Sequence, residues 1–206
     1  MSPSKEQEEN FLKLLQESEI FDNFLAKKFP QVKRYGLEGS ESMMIAIDSL
    51  FETLSKSDIG TLVIGMPHRG RLNFLNGILG FPARAMFSKI KGNSEFPEGI
   101  HGSGDVLSHL GISTTLSQYG DLKISLLNNP SHLEAVNPVA MGKTKSKLKE
   151  GQKAVCFLIH GDTAFTGQGI VSESLGLANL PHFKTDGTIH LILSLIFKFL
   201  LLIFIE

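Results

Sequence analysis

The stretch KAVCFLIHGDTAFTGQG, residues 153–169, decides the reading of the fold. An apolar run ends abruptly in Gly161-Asp162, and Gly167 and Gly169 follow. A short apolar run closed by glycine reads as a buried strand. The sequence after it, FTGQGIVSESLGLANL, reads as a turn passing into a helix. The same grammar recurs along the chain. GTLVIGMPHRGR (60–71) holds a strand at Leu62-Val63-Ile64, closed by Gly65 and Pro67, and LNFLNGIL follows as a helix. LKISLL (122–127) is a strand, followed by a turn at Asn129-Pro130 and a helix with Ser131 as N-cap and Glu134 in the capping-box position. TIHLIL (188–193) starts a fourth strand. Repeated apolar strand, polar turn and helix predict an α/β fold: a mainly parallel sheet with flanking helices.

The flanks differ from this pattern. Residues 6–29 place Phe11, Leu14, Leu15, Ile20, Phe21, Phe24 and Leu25 among charges, which predicts one or two amphipathic helices ended by Pro30. RYGLEGSES (34–42) is a loop into a helix striped by Met43, Met44, Ile47, Leu50, Phe51 and Leu54, with Ser40 or Ser42 as its cap. KGNSEFPEGIHGSGDVLSHL (91–110) is a long Gly- and Ser-rich loop, a kind that usually serves function. The organisation expected is a helical segment over 1–35, an α/β domain over 36–192 and a divergent apolar tail over 193–206.

Composition narrows the function. A chain of 206 residues, 42 % hydrophobic and 20 % charged, can bury a core. Twenty basic against 21 acidic residues give a formal charge of -1, with no basic run to attract nucleic acid. Cys156, the single cysteine, forms no intramolecular disulfide and reads as a small core residue. The N-terminal MSPSKEQEEN resembles neither a secretory signal nor an Arg-rich transit peptide. The apolar run from Ile189 to Ile205 is interrupted by His190, Ser194 and Lys198. It falls short of the roughly 20 residues of a spanning helix. A mid-membrane lysine would add about 2.5–3.5 kcal/mol. A membrane span is therefore not expected.

Three strand ends carry polar clusters: MPHRGR, NPSHLE and HGDTAF. Ligands in open α/β sheets bind beyond the carboxyl ends of the strands. His68, Arg69 and Arg71 there suggest an anion site, with a surface ion pair as the alternative for the arginines. Asp162 beside a phosphate is repulsive unless a cation lies between them. A divalent metal bridging to a diphosphate is one reading and a helix cap the other. His68, His109, His132 and His160 all border glycine-, serine- or acid-containing turns. No G-x-G-x-x-G, G-x-x-x-x-G-K-[ST], H-E-x-x-H, cysteine–histidine zinc spacing or G-x-S-x-G occurs.

Taken together, FLAKKFPQVKRYGLEGSES, GMPHRGRLNFLNGIL, GSGDVLSHL, NPSHLEAVNPVAMGKTK and HGDTAFTGQGIVSESLGLANLPHF resemble the dehydrogenase components of the 2-oxoglutarate and 2-oxoadipate dehydrogenase complexes, over roughly residues 17–192. NPSHLEAVNPV and LPHF lean toward the 2-oxoadipate branch. The resemblance implies a thiamin diphosphate-binding fold and an oxidoreductase that decarboxylates a 2-oxo acid and passes the acyl group to a lipoyl arm. It implies thiamin diphosphate with Mg2+ as cofactors. By resemblance Asp162 is the Mg2+ ligand, Arg69 contacts the cofactor, and Ala164 lines the same turn. His68 and His109 face the 2-oxo acid, and Ser131 and Leu133 line the cofactor and substrate pocket. The implied partners are a lipoyl-bearing acyltransferase, dihydrolipoamide dehydrogenase and a second copy of the subunit. The implied place is the mitochondrial matrix, in the tricarboxylic acid cycle or in lysine degradation.

The resemblance stops after Ile192. The family continues with an Asn-Asn pair, whose second member and a carbonyl two residues on complete the metal site. Counted from Asp162, those positions are Leu195 and Phe197, inside HLILSLIFKF. The family's second α/β domain, source of the cofactor-activating glutamate, has no counterpart in the sequence. The expectation is thus a truncated, inactive member, its last residues unrelated to the family. The alternative is a non-catalytic cofactor-binding module that pairs with full-length subunits.

Overall fold

The computed structural model describes residues 3–94, 98–100, 102, 104–177, 180–184 and 187–194, together with the backbone of 199–205. Helix α1 (Lys5–Lys28) is one continuous helix. Ser4 Oγ accepts from the Gln7 N–H at 3.2 Å and Gln7 Oε1 accepts from the Ser4 N–H at 2.9 Å, a reciprocal cap that starts it. Its inner face is Leu14, Ser18, Asp22 and Leu25, at three- and four-residue spacing. It packs on α2 (Ser42–Ser55), which buries Met43, Met44, Ile47, Phe51 and Leu54. Neither Ser40 nor Ser42 caps α2 by side chain: Glu41 holds the cap position without such a bond, and Ser40 instead ends a tight turn from Leu37.

The sheet has six strands in the order β2-β3-β1-β4-β5-β6. They are β1 (Thr61–Gly65), β2 (Ile112–Leu116), β3 (Leu122–Leu126), β4 (Ala154–Gly161), β5 (Thr188–Ser194) and β6 (Phe199–Ile205). The inner four, β3, β1, β4 and β5, run parallel, in agreement with the sequence reading. The two edges are antiparallel and escaped it: β2 pairs β3, and β6 folds back on β5, Thr188 opposite Ile205 and Ser194 opposite Phe199. The apolar tail is thus a β-hairpin arm. No helix among the described residues is long and apolar enough to cross a membrane.

Burial on both faces explains the continuous apolar strands. Leu62, Val63 and Ile64 are completely buried, each contributing about 1.5–3 kcal/mol of transfer free energy. Phe157 and Ile159 join the large core under α1, α2 and α3 (Arg71–Gly77). Val63, Cys156 and Leu158 face the other way, onto Ala140 and Met141 of α5 (Val136–Lys149). A short helix α4 (Ala83–Ile90), not anticipated, follows α3.

Two local expectations are corrected. Ser131 does not cap α5, which starts five residues later, with Ala135 at its cap position. Glu134 is buried in the left-handed region, φ 67°, and its side chain bonds elsewhere. The helix expected after Asp162 is two, α6 (Asp162–Gly167) and α7 (Gly169–Leu177), broken at Gln168, whose ψ of 119° is extended.

Candidate functional site

The carboxyl ends of β1, β3, β4 and β5 open on two neighbouring pockets. The smaller, about 270 Å3, is lined by Tyr35, His68, Arg69, Leu133, His160, Asp162 and Ala164 among others. The larger, about 770 Å3, is lined by Lys33, Tyr35, His68, Asp105, His109 and Ser131 among others. Tyr35 and His68 border both. All the residues singled out from sequence as site residues (His68, Arg69, His109, Ser131, Leu133, Asp162 and Ala164) therefore gather here.

Asp162 stands where β4 becomes α6. Ser194, at the end of β5, donates its hydroxyl to Asp162 Oδ2 at 2.6 Å, and the Thr163 N–H donates to Oδ1 at 2.7 Å. The Ser194 hydrogen bond, helped by Thr163, holds the Asp162 carboxyl below the usual carboxylate range, so it is ionised at neutral pH. The Thr163 contact is a local turn bond of the kind expected from the cap reading. Gly161, not Asp162, holds the cap position of α6, without a side-chain cap bond, and the Asp162 carboxylate lies on the pocket wall.

Arg69 and Arg71 diverge. Arg69 donates to the Gly36 carbonyl at 3.0 Å and lines the smaller pocket. Arg71 is completely buried. Its guanidinium donates to the carbonyls of Leu110 (2.6 Å), Leu127 (3.0 Å) and Met66 (2.7 Å), with a longer contact to Pro67 (3.4 Å). It ties the β1 end to the β2 and β3 ends. Its predicted part in an anion site is corrected, because the side chain is completely buried and four of its five N–H groups donate to backbone carbonyls. Gly70 makes this turn possible: φ is +72°, and an added Cβ would lie 2.4 Å from Leu37 Cδ2.

In the larger pocket, His68 Nε2 lies 3.1 Å from His109 Nε2, and His109 Nδ1 lies 2.9 Å from Asp105 Oδ1. With His109 Nδ1–H donating to Asp105, its Nε2 is left to accept from His68 or from Ser131 Oγ, 3.3 Å away. Burial, with His109 and Arg71 nearby, lowers the His68 pKa, which favours a neutral ring. The sequence reading missed Asp105, which an acid four residues before His109 could have signalled, and Tyr35, whose ring centroid lies 5.1 Å from that of His68. It missed Ser194 as well, a serine inside an apolar run. His132 is exposed, and His160 is buried beneath the Asp162 turn.

Residues 17–193 match the family described as "Dehydrogenase E1 component". The chain belongs to this family. It is 51 % identical over 202 residues to the "Probable 2-oxoadipate dehydrogenase complex component E1 homolog" of Dictyostelium discoideum, covering 94 % of this chain and 22 % of the relative. It is 48 % identical over 205 residues to the human "2-oxoadipate dehydrogenase complex component E1", covering 92 % of this chain and 22 % of the relative. The chain thus spans about a fifth of the length of the curated relatives it matches.

The E1 family implies thiamin diphosphate, and the donor set fits its charged end. An ionised carboxylate on one wall and a guanidinium on another suit a divalent cation and the phosphate oxygens it bridges; Mg2+ is held by one or two carboxylates plus substrate phosphates. Among the described residues no group of three or more His, Cys, Asp or Glu is placed to hold a metal ion. Leu195 and Phe197, counted as further ligand positions, lie outside the described residues.

Proposed function

We propose that this chain takes part in the thiamin diphosphate-dependent oxidative decarboxylation of a 2-oxo dicarboxylic acid, with 2-oxoadipate as substrate and a lipoyl group as acyl acceptor. The observation that carries it is the meeting of Asp162 and Arg69 on one pocket, next to the Asp105–His109–His68 chain on the other. Asp162 would hold Mg2+ and Arg69 would hold a phosphate oxygen. Ala164 and Leu133 would bound the cofactor side, and Ser131 the substrate side. The cofactor supplies an electron sink that makes loss of carbon dioxide from a 2-oxo acid feasible. Asp105 orients His109, and the proton between the facing Nε2 atoms is available to an oxygen of the 2-oxo acid. The names of the relatives support 2-oxoadipate over 2-oxoglutarate and a place in a multienzyme complex. A lipoyl-bearing acyltransferase and dihydrolipoamide dehydrogenase as partners, and the mitochondrial matrix as the location, are part of the proposal and rest on the family resemblance alone.

The isolated chain is proposed to bind the cofactor without turning it over. Asp162 is the one carboxylate lining the smaller pocket among the described residues, and it is committed to the metal. A thermal-shift titration with thiamin diphosphate and Mg2+ tests the reading. A saturable rise in melting temperature that Asp162→Ala abolishes is expected. A wild-type chain with no ligand-dependent rise refutes it.

A further inference from the structure

Beneath the Asp162 turn, on the sheet face covered by α5, runs a second chain of one acid and two histidines. Glu134, His160 and His190 are 5 %, 0 % and 2 % exposed. Glu134 Oε2 lies 2.6 Å from His160 Nδ1, and His160 Nε2 lies 2.9 Å from His190 Nδ1. The two rings are nearly coplanar and meet nitrogen to nitrogen, with centroids 5.1 Å apart and planes 13° apart, and the Phe165 ring meets His160 edge-on at 4.9 Å. With both rings neutral and Glu134 ionised, one proton assignment satisfies both bonds. Glu134 accepts from His160 Nδ1–H, and His160 Nε2 accepts from His190 Nδ1–H. Burial pushes the His190 pKa down to about 4, in line with a neutral ring.

Each member comes from a different part of the sheet side of the site. Glu134 belongs to the loop after β3 that presents Ser131 and Leu133 to the pockets. Its backbone is left-handed, φ 67°, a strained conformation for a non-glycine residue that persists where surrounding bonds over-determine it. The Asn137 amide donates to the same carboxylate oxygen at 2.8 Å and fixes it from the α5 side. His160 lies in β4, two residues before Asp162. His190 lies in β5, four residues before the serine that donates to Asp162. These bonds therefore tie β4, which carries Asp162, to β5, which carries Ser194, and both to the Ser131–Leu133 loop.

We propose that Glu134, acting through His160 and His190, is a positioning residue that sets the aim of the Asp162 carboxylate and so its affinity for a divalent cation bridged to a diphosphate. The inference rests on the metal role of Asp162 proposed above. The test uses the full chain with Mn2+ and thiamin diphosphate as probe, Mn2+ binding being read from the loss of the free-ion electron paramagnetic resonance signal. Glu134→Ala is expected to weaken Mn2+ binding by about tenfold or more, as removal of groups that orient metal ligands does. Glu134→Gln should recover most of it, since its amide oxygen still accepts from His160 Nδ1–H. His190→Phe, which keeps an aromatic ring in place and removes the donor, should weaken it as well and carries the test should Glu134→Ala fail to fold. In long-range 1H–15N spectra of the wild type, His160 and His190 should both be Nδ1–H tautomers. Folded Glu134→Ala or His190→Phe chains that bind Mn2+ like the wild type, while Asp162→Ala does not, overturn the positioning role alone. Asp162→Ala binding Mn2+ like the wild type overturns the metal reading and this inference with it.

Discussion

Replacing Arg71 by methionine separates a backbone tie from an anion ligand. Methionine keeps the unbranched stem and removes the guanidinium. The carbonyls of Met66, Leu110 and Leu127, now bonded at 2.6–3.0 Å, lose a charged donor. Each buried acceptor left unsatisfied costs about 1–3 kcal/mol. Because the guanidinium's own burial was unfavourable, the net falls near the low end of the sum, about 3–5 kcal/mol. Burial pushes the Arg71 pKa down to about 10, so the side chain is charged at neutral pH and the full effect is present there. The chain has no tryptophan, so urea unfolding is followed by far-UV circular dichroism. With a urea slope of about 2–3 kcal/mol/M, the midpoint should fall by roughly 1–2 M. Arg69→Ala, which loses one carbonyl bond at the pocket wall, should shift it by less than half as much. An unchanged midpoint for Arg71→Met, together with loss of diphosphate binding, would refute the structural assignment and restore Arg71 to an anion site.

Three further outcomes follow from the geometry. Gly70→Ala forces a Cβ against Leu37 and Met43 in a left-handed turn and should destabilise the chain by about 2–4 kcal/mol; a loss under about 1 kcal/mol in the same unfolding assay would contradict the packing. His190 has a folded-state pKa near 4, below its ordinary 6.5, so the fold favours the neutral ring. Stability should be undiminished above about pH 6.5 and fall by up to about 1.4 kcal/mol per pH unit between there and pH 4. His190→Phe should flatten that limb, and an unchanged slope would assign the acid sensitivity elsewhere. Cys156 is buried, and burial pushes its thiol pKa up to about 12. It should react with a thiol reagent only at the rate of global opening, and fast labelling of the native chain would show an open face between α5 and the sheet.

How much of this was legible in the sequence differs by element. Strands β1, β4 and β5 were readable because both of their faces are buried, which makes each a largely apolar run; β3, LKISL, buries only alternate positions and was read from Leu122, Ile124 and Leu126 ahead of the Asn129-Pro130 turn. The edge strand β2, ISTTL, alternates half-buried and exposed positions and lacks that signature. The turn of β6 back onto β5 depends on pairing that no local pattern encodes. The α5 cap was misread because Ser131 and Glu134 satisfy the spacing of a capping box, yet Glu134 has a stronger partner in His160, 26 residues away in sequence. Arg71 was misread for a related reason. A motif shows which residues gather at a strand end, but which arginine faces solvent and which faces backbone is set by Leu110 and Leu127, on other strands' loops. Of the pocket residues, His68, Arg69 and Asp162 stood out because strand ends place them together, whereas the roles of His109, Ser131, Leu133 and Ala164 came from the family resemblance.

The central claim is that the β4 end holds a diphosphate through a cation on Asp162. Isothermal titration of thiamin diphosphate into the chain, with and without Mg2+ and against thiamin lacking the diphosphate, tests it most directly. Saturable binding of the diphosphate that requires Mg2+ and disappears in Asp162→Ala is expected, with thiamin bound far more weakly. Binding that is indifferent to Mg2+ or to Asp162, or no binding to a folded chain, would contradict it.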